Sequence, residues 1–174
     1  MNVSSRRAAC ALAVGLMALA PGASSAAERS STFSGSCHYE GLIRFADPIG
    51  GLPEQNRLNL AAPGTCSGWL DGRPVDGAPA LFYGEAEGLM SCTQGLPAGT
   101  GWLVVEDAEI DYAFSEIRLT GVGKLEYRGM NGGALRGVGA SDGDTAEQVE
   151  RCAAGGGSLQ QVTVHGDVAG TISG

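Results

Sequence analysis

Apolar and polar residues alternate along both ends of the chain behind its first 27 residues. Over residues 33–45, the odd positions carry Phe, Gly, Cys, Tyr, Gly, Ile and Phe, while the even positions carry Ser, Ser, His, Glu, Leu and Arg. Over residues 162–172, Val, Val, Gly, Val, Gly and Ile alternate with Thr, His, Asp, Ala and Thr. A period of two predicts strands with one face in the core. The interior glycines favour a strongly bent sheet.

Shorter patterns of the same kind fill the middle of the chain. Turn residues separate several of them, at Asp71-Gly72, at Asp76-Gly77 and at Asn131-Gly132-Gly133. A connection rich in Pro and Gly is predicted over residues 47–64. Further strands are predicted near residues 57–61, 65–70, 80–85, 89–93, 101–105, 109–120, 123–129 and 134–140. The pattern predicts an all-β fold of eight to ten strands, an antiparallel β-barrel or, as the alternative, a β-sandwich.

One segment in the C-terminal half departs from alternation. Asp144 and Glu147 have the spacing of a capping box, in which the Asp144 carboxylate accepts from the first helical turn. Apolar residues then recur at helical spacing, and Gly155 can end the helix in a left-handed conformation. We therefore predict one short helix over residues 145–154, lying on the sheet.

The first 27 residues have the organisation of an export signal. Arg6 and Arg7 precede an uncharged apolar run over residues 8–20, and small residues over 23–27 suit cleavage after Ala26 or Ala27. The run has 13 residues, whereas a membrane-spanning helix needs about 20. We expect residues 28–174 to form a single secreted, extracellular domain with no membrane anchor.

The net charge of the chain behind its first 27 residues indicates which classes of partner are unfavourable. Without the two arginines of the leader, nine basic residues face 19 acidic ones, a formal net charge of −10. Such a surface repels nucleic acid, so we expect no nucleic-acid partner. An unidentified small ligand or a cell-surface component remains as the expected partner.

Four cysteines remain after removal of the leader, namely Cys37, Cys66, Cys92 and Cys152. An even number in an exported protein predicts disulfides, and four cysteines allow three pairings. We favour Cys37–Cys66, because both lie in similar short contexts that could be neighbouring strands, and Cys92–Cys152, which would tie the helix to the sheet. The alternative to disulfides is a zinc site formed by the cysteines, but the chain contains no Cys-x-x-Cys pair.

The two histidines fall on the polar faces of the terminal strands, each two residues from an acid. If these strands are adjacent, His38, Glu40, His165 and Asp167 could converge for metal binding or acid–base chemistry. The simpler interpretation is a solvated surface, which alternation in an antiparallel sheet requires. We favour the simpler one.

Asp107, Glu109 and Asp111 are alternate acids at the start of a predicted strand, with Glu106 beside them. Oxygen ligands of this kind suit calcium. The alternative is an acidic hairpin tip in an acidic protein, and no EF-hand spacing is present. We favour the hairpin tip, and expect neither a metal nor another cofactor.

Catalytic signals are sparse. The chain has no Gly-x-Ser-x-Gly motif, and its cysteines are expected to pair. Carboxylates spaced as in a glycosidase could come from a group of four glutamates, Glu85, Glu87, Glu106 and Glu116. Five aromatic residues could line a pocket for an apolar or sugar ligand, or could be core residues: Trp69, Tyr83, Trp102, Tyr112 and Tyr127.

Several segments together resemble a group of uncharacterised small secreted proteins of high-GC bacteria. They are the run Gly64-Thr65-Cys66-Ser67-Gly68, the pair Ser91-Cys92, the strand pair from Gly101-Trp102-Leu103 to Leu119, and the helix end over residues 150–155. The resemblance covers most of the chain behind the leader. It implies a disulfide framework on a β-fold, and it supplies no activity or catalytic residues.

From these observations we expect a secreted, non-enzymatic β module that binds a small apolar ligand or acts at the cell surface. The alternative is a barrel enzyme, an isomerase or hydrolase that uses His or carboxylates inside the barrel. Barrels of the lipocalin, dirigent or allene-oxide-cyclase kind share that architecture, but a fold does not define a function. Outward histidines would favour the binding module, and a histidine buried beside a carboxylate would favour the enzyme.

Overall fold

The computed structural model of the protein describes residues 30–119 and 122–174. The predicted export signal lies outside the described residues. The described part consists of nine strands and one helix, numbered along the chain. They are β1 (Thr32–Ile49), β2 (Glu54–Leu70), β3 (Arg73–Met90), β4 (Gln94–Gly95), β5 (Ala98–Val105), β6 (Ala108–Leu119), β7 (Val122–Gly129), β8 (Gly132–Ser141), α1 (Gly143–Ala153) and β9 (Leu159–Ser173).

The eight long strands form a closed antiparallel ring. Each pairs with the next long strand along the chain, and β9 returns to pair with β1. The two-residue strand β4 bridges β3 and β6 at one end of the ring. Every long strand is therefore paired on both sides, which removes the exposed edges of an open sheet. The predicted all-β antiparallel barrel with one short helix is confirmed.

Two strands are much longer than the sequence pattern indicates. The predicted connection over residues 47–64 is confirmed only over residues 50–53, because β1 continues to Ile49 and β2 runs without a break from Glu54 to Leu70. The short strand predicted over residues 57–61 lies inside β2. Pro63, which cannot donate a backbone hydrogen bond, lies where the β1–β2 ladder is interrupted between Tyr39 and Leu42. The strand therefore tolerates the proline.

The predicted turn at Asp76-Gly77 is also wrong. These residues lie within β3, where the register against β2 shifts between Cys66 and Gly68. Gly77 has a φ of 59°, a left-handed conformation that permits such a bulge. The same turn chemistry at Asp71-Gly72 does form a hairpin between β2 and β3, and the hairpin predicted around Asn131-Gly132-Gly133 joins β7 to β8.

The predicted helix is present, but its start differs. α1 begins at Gly143 and its N-cap is Asp142, so the predicted capping box with Asp144 as the cap is wrong. The Asp142 carboxylate makes no capping hydrogen bond, because it contacts His165 instead. At the other end, Gly155 has a φ of 83°, as the sequence predicts. The buried side of the helix includes Val149 and Cys152.

Both predicted disulfides are present. Cys37 and Cys66 lie directly opposite each other on β1 and β2, inside the barrel. Cys92, just after β3, is bonded to Cys152 near the end of α1. The second bridge joins segments 60 residues apart and ties the helix to one end of the barrel.

Aromatic rings fill the inside of the barrel. Tyr127 lies at their centre, with its ring centroid 4.9 Å from that of Tyr112, 5.1 Å from Phe114 and 5.4 Å from Phe82. Its hydroxyl shares a hydrogen bond of 2.8 Å with that of Tyr39. The cavity beside this cluster measures only about 20 Å³, which is room for about one water molecule. Among the described residues, this cavity therefore has no space for a ligand larger than water.

The helix in the described part of the chain lacks the length and apolarity needed to cross a membrane.

Candidate functional site

The histidines lie on the outside of the barrel. Strands β1 and β9 are adjacent, so His38 faces Asp167 and Glu40 faces His165 across the ladder. His38 Nδ1 lies 2.9 Å from Asp167 Oδ1, and its Nε2 lies 3.6 Å from Glu40 Oε1. The His38 side chain is 49% exposed. The four residues thus come together as a solvated surface group.

The side chain of His165 contacts Asp142, which lies outside this group of four residues. Its Nδ1 lies 2.5 Å from Asp142 Oδ1, and its side chain is 41% exposed. The contact links β9 to the residue that precedes α1. It holds the start of the helix against the sheet.

Asp167 controls the titration of His38. The hydrogen bond that His38 Nδ1 donates to Asp167 Oδ1, with the nearby Glu40 carboxylate, raises the pKa of His38 above its usual 6.5. A raised folded-state pKa stabilises the protein below pH 6.5, and that contribution is lost as the pH rises through the folded-state pKa. Exposure keeps the contribution small.

We expect an NMR titration to give His38 a pKa above 6.5 and the Asp167→Asn variant to bring it back toward 6.5. Asp107→Asn, in a distant turn, serves as the control and leaves the titration of His38 unchanged. If the pKa of His38 is unchanged in Asp167→Asn, the contact with Asp167 does not raise it.

The three acids considered for calcium do not share one strand. Asp107 lies in the turn before β6, while Glu109 and Asp111 project outward from β6 itself. Glu106 in the same turn pairs with Arg73 at 2.6 Å. Among the described residues, no three His, Cys, Asp or Glu side chains are grouped so that they could hold a metal ion.

A charged pair lies inside the barrel, at the end of β6. Arg118 Nε donates to Glu116 Oε1 at 3.0 Å, and Arg118 Nη2 donates to Glu116 Oε2 at 2.9 Å. The side chains are 14% and 6% exposed, respectively. A Cβ atom at position 123 would overlap the Glu116 carboxylate, so Gly123 makes room for it. The pair neutralises its own charge and borders the 20 Å³ cavity.

A groove of about 870 Å³ lies on the outer face, over β3, β5 and β6. Tyr83 and Trp102 face each other across the β3–β5 ladder, and Asp111 follows across the β5–β6 ladder. The rings of Tyr83 and Trp102 are stacked, with centroids 4.1 Å apart and planes inclined by 24°. Trp102 is 36% exposed. We call the groove around this stacked pair the aromatic groove.

Hydrogen-bond acceptors surround the stacked rings. The aromatic groove has a volume of about 870 Å³, and its lining includes the carboxylates of Glu85, Glu109 and Asp111. Tyr83 donates its hydroxyl to Glu85 at 2.9 Å, a bond that raises the pKa of Tyr83 above its usual value. No lysine or arginine lines it in the described part of the chain. The groove therefore offers an apolar platform with a rim that accepts hydrogen bonds.

The other aromatic and acidic candidates lie apart from this groove or behind it. Trp69 is exposed on β2 and does not line the groove, and Tyr127 lies in the core. Tyr112 is buried behind the platform and donates its hydroxyl to the backbone carbonyl of Tyr83 at 2.9 Å. Of the four glutamates, only Glu85 and Glu87 share the outer face of one strand. Glu116 lies on the opposite side of the barrel wall from both.

The pairing of Arg118 with Glu116 on the inward side of β6 was not predicted from the sequence. The signal was available, because Ile110, Tyr112, Phe114, Glu116 and Arg118 share one parity in a predicted strand. Their alternation places the charged pair on the apolar face.

Comparison of the chain with protein-family models, with curated proteins and with solved structures gave no significant match. The resemblance to small secreted proteins of high-GC bacteria therefore stays a prediction, and function has to be inferred from the site.

Proposed function

We propose that the protein is a secreted, non-enzymatic binding module that acts at the cell surface by holding a saccharide in the aromatic groove. The observation that carries the proposal is the exposed Tyr83–Trp102 stack with acceptors around it. A sugar ring has an apolar face that packs on an aromatic ring, and hydroxyl donors at its rim. Glu85 and Asp111 are placed to accept from such donors.

The filled interior supports an outer rather than an inner site. A ligand pocket usually measures several hundred Å³, which the aromatic groove provides and the 20 Å³ interior cavity does not. The two disulfides fit an oxidising compartment and so support secretion.

The alternative function, a barrel enzyme acting as an isomerase or hydrolase, has less support. Its acid–base group would be a histidine or carboxylate inside the barrel. His38 lies on the outer face, and His165, which is 41% exposed, contacts Asp142. His165 and Glu116 both line the interior cavity, but the Glu116 carboxylate is bonded to Arg118. The interior cavity also has no room for a substrate.

A glycan array tests the proposal. The array carries neutral, amino-bearing, uronate-bearing and phosphate-bearing oligosaccharides of different lengths, and the protein without its leader is applied. We expect retention on a subset of the saccharides and a loss of at least tenfold in affinity, about 1.4 kcal/mol, for Trp102→Ala.

Trp69→Ala is the matched control, because Trp69 is an exposed tryptophan outside the groove. It should bind like the unchanged protein. Failure of the unchanged protein to bind any saccharide, or equal losses in both variants, would overturn the proposal.

A further inference from the structure

We propose that the saccharide in the aromatic groove carries an amino group, and that Asp111 and Glu109 bind its ammonium beside the ring of Trp102. This inference rests on the proposed function and names the ligand class of the same groove. The ligand is therefore a cation when its amine is protonated, and not a neutral or acidic saccharide.

The lining of the aromatic groove is negatively charged. Glu85, Glu109 and Asp111 line it with exposed side chains, and no lysine, arginine or histidine of the described residues does so. None of the three carboxylates forms an ion pair with a described basic side chain. On the adjoining strand β7, Arg128 lies outside the groove and is paired with Glu126 at 3.0 Å. Such a lining repels an anionic ligand and attracts a cationic one.

The three carboxylates are not equally available to a ligand. Glu85 accepts the hydroxyl of Tyr83 at 2.9 Å, and it also lines a neighbouring groove together with Arg44 and Arg57. Asp111 and Glu109 do not line that neighbouring groove. We therefore assign the ammonium to these two acids.

Asp111 and Glu109 lie close to the ring of Trp102. Asp111 faces Trp102 directly across the β5–β6 ladder, and Glu109 is two residues away on the same outer face of β6. Side chains that face each other across a ladder have Cβ atoms about 4.5–5.5 Å apart. An ammonium in contact with Asp111 is therefore held near the indole, and the face of a tryptophan attracts a cation within about 6 Å of the ring centre.

An amino-bearing sugar matches both the rings and the acids of this groove. The apolar face of the sugar packs on the exposed Tyr83–Trp102 stack, and the ammonium donates to the carboxylates beside it. A hydrogen bond between an ammonium and a carboxylate is stronger than one between neutral groups. Acetylation of the amine removes the positive charge and leaves the sugar ring unchanged. We therefore expect the groove to prefer the free amine to the acetamide.

Calorimetry with two matched series of ligands tests this preference. The first series consists of linear glucosamine oligosaccharides, and the second consists of the same chains with every amine acetylated. At a pH at which the amines are protonated, we expect the glucosamine chains to bind at least tenfold more tightly than acetylated chains of equal length. Added salt should reduce that preference, because the groove is open to solvent.

Variants locate the ammonium. Asp111→Asn combined with Glu109→Gln should remove the tenfold preference. The readout is the ratio of the two affinities, so that a hydroxyl contact of Asp111 common to both series does not change it. The matched control is Glu147→Gln combined with Glu150→Gln, which removes two exposed acids from α1, a helix at the end of the barrel opposite the β7–β8 turn. It should retain the preference, and both double variants should keep the Tm of the unchanged protein.

The outcomes separate this inference from the proposed function. Equal binding of glucosamine and acetylated chains by the unchanged protein overturns the ammonium site but leaves the saccharide module intact. Retention of the preference in Asp111→Asn/Glu109→Gln, or an equal loss of it in the control, also overturns the ammonium site. Absence of binding to every saccharide overturns both.

Discussion

Replacement of the Cys92–Cys152 bridge by alanines is expected to destabilise the protein by about 4 kcal/mol, because the bridge closes a loop of 60 residues. For a domain of this size the Tm should fall by roughly 10 °C. The sheet should persist, since β1 and β9 bury their own apolar faces. The 11-residue helix α1 is too short to be stable by itself.

Hydrogen exchange measures the stability of helix α1 and of strand β9 separately. In Cys92→Ala/Cys152→Ala, the amides of α1 should exchange fast, while those around Val162 to Val168 stay protected. The matched control is Cys37→Ala/Cys66→Ala, which opens a bridge between two strands that already pair. It should lower the Tm and leave α1 protected. Slow exchange of α1 in the first variant would mean that packing alone holds the helix.

Arg118→Ala is expected to have the second large effect. The substitution leaves the Glu116 carboxylate inside the barrel without the guanidinium that neutralises it. Loss of one member of a buried ion pair costs about 3–5 kcal/mol, and the partial exposure of Arg118 places the expected value near the lower limit. Chemical denaturation gives the free energy of unfolding directly.

Two further variants test whether the effect of Arg118→Ala comes from the unpaired buried charge rather than from the smaller side chain. Glu116→Leu combined with Arg118→Met removes both charges and should cost less than Arg118→Ala alone, because no unpaired charge remains. Arg136→Ala breaks an exposed pair with Glu126 and should change stability by no more than about 1 kcal/mol. Equal losses for Arg118→Ala and Arg136→Ala would show that the interior pair is well solvated.

Prediction of the strands succeeded where a pattern was local and failed where the outcome depended on a partner. Alternation around Phe33 and Val162 identified both terminal strands and their buried faces. The segment around Pro63 has the composition of a loop, yet it is a strand because β1 and β3 pair with it on both sides. Asp76-Gly77 has the composition of a turn, yet the continuing ladder makes it a bulge.

The same distinction applies to the candidate site, where residue types were recognised from the sequence but their grouping was not. The sequence analysis named Tyr83 and Trp102 as residues that could line a pocket and Glu85 as a possible glycosidase carboxylate, and it considered Asp111 only for calcium. It could not group them, since Tyr83 and Asp111 lie on strands separated by β5 and meet only through the register of two ladders.

The sequence by itself determined the β class, the inward face of the terminal strands and the approximate position of the short helix, and it narrowed the disulfides to three pairings, of which the favoured one is observed. Each of these follows from residues close together along the chain, or from the few ways in which four cysteines can pair. Closure of the ring, burial of the Glu116–Arg118 pair and stacking of Tyr83 on Trp102 were decided only by the tertiary structure. The physical reason is that a strand specifies which face is apolar, whereas its neighbours and their register depend on how all the strands pack together.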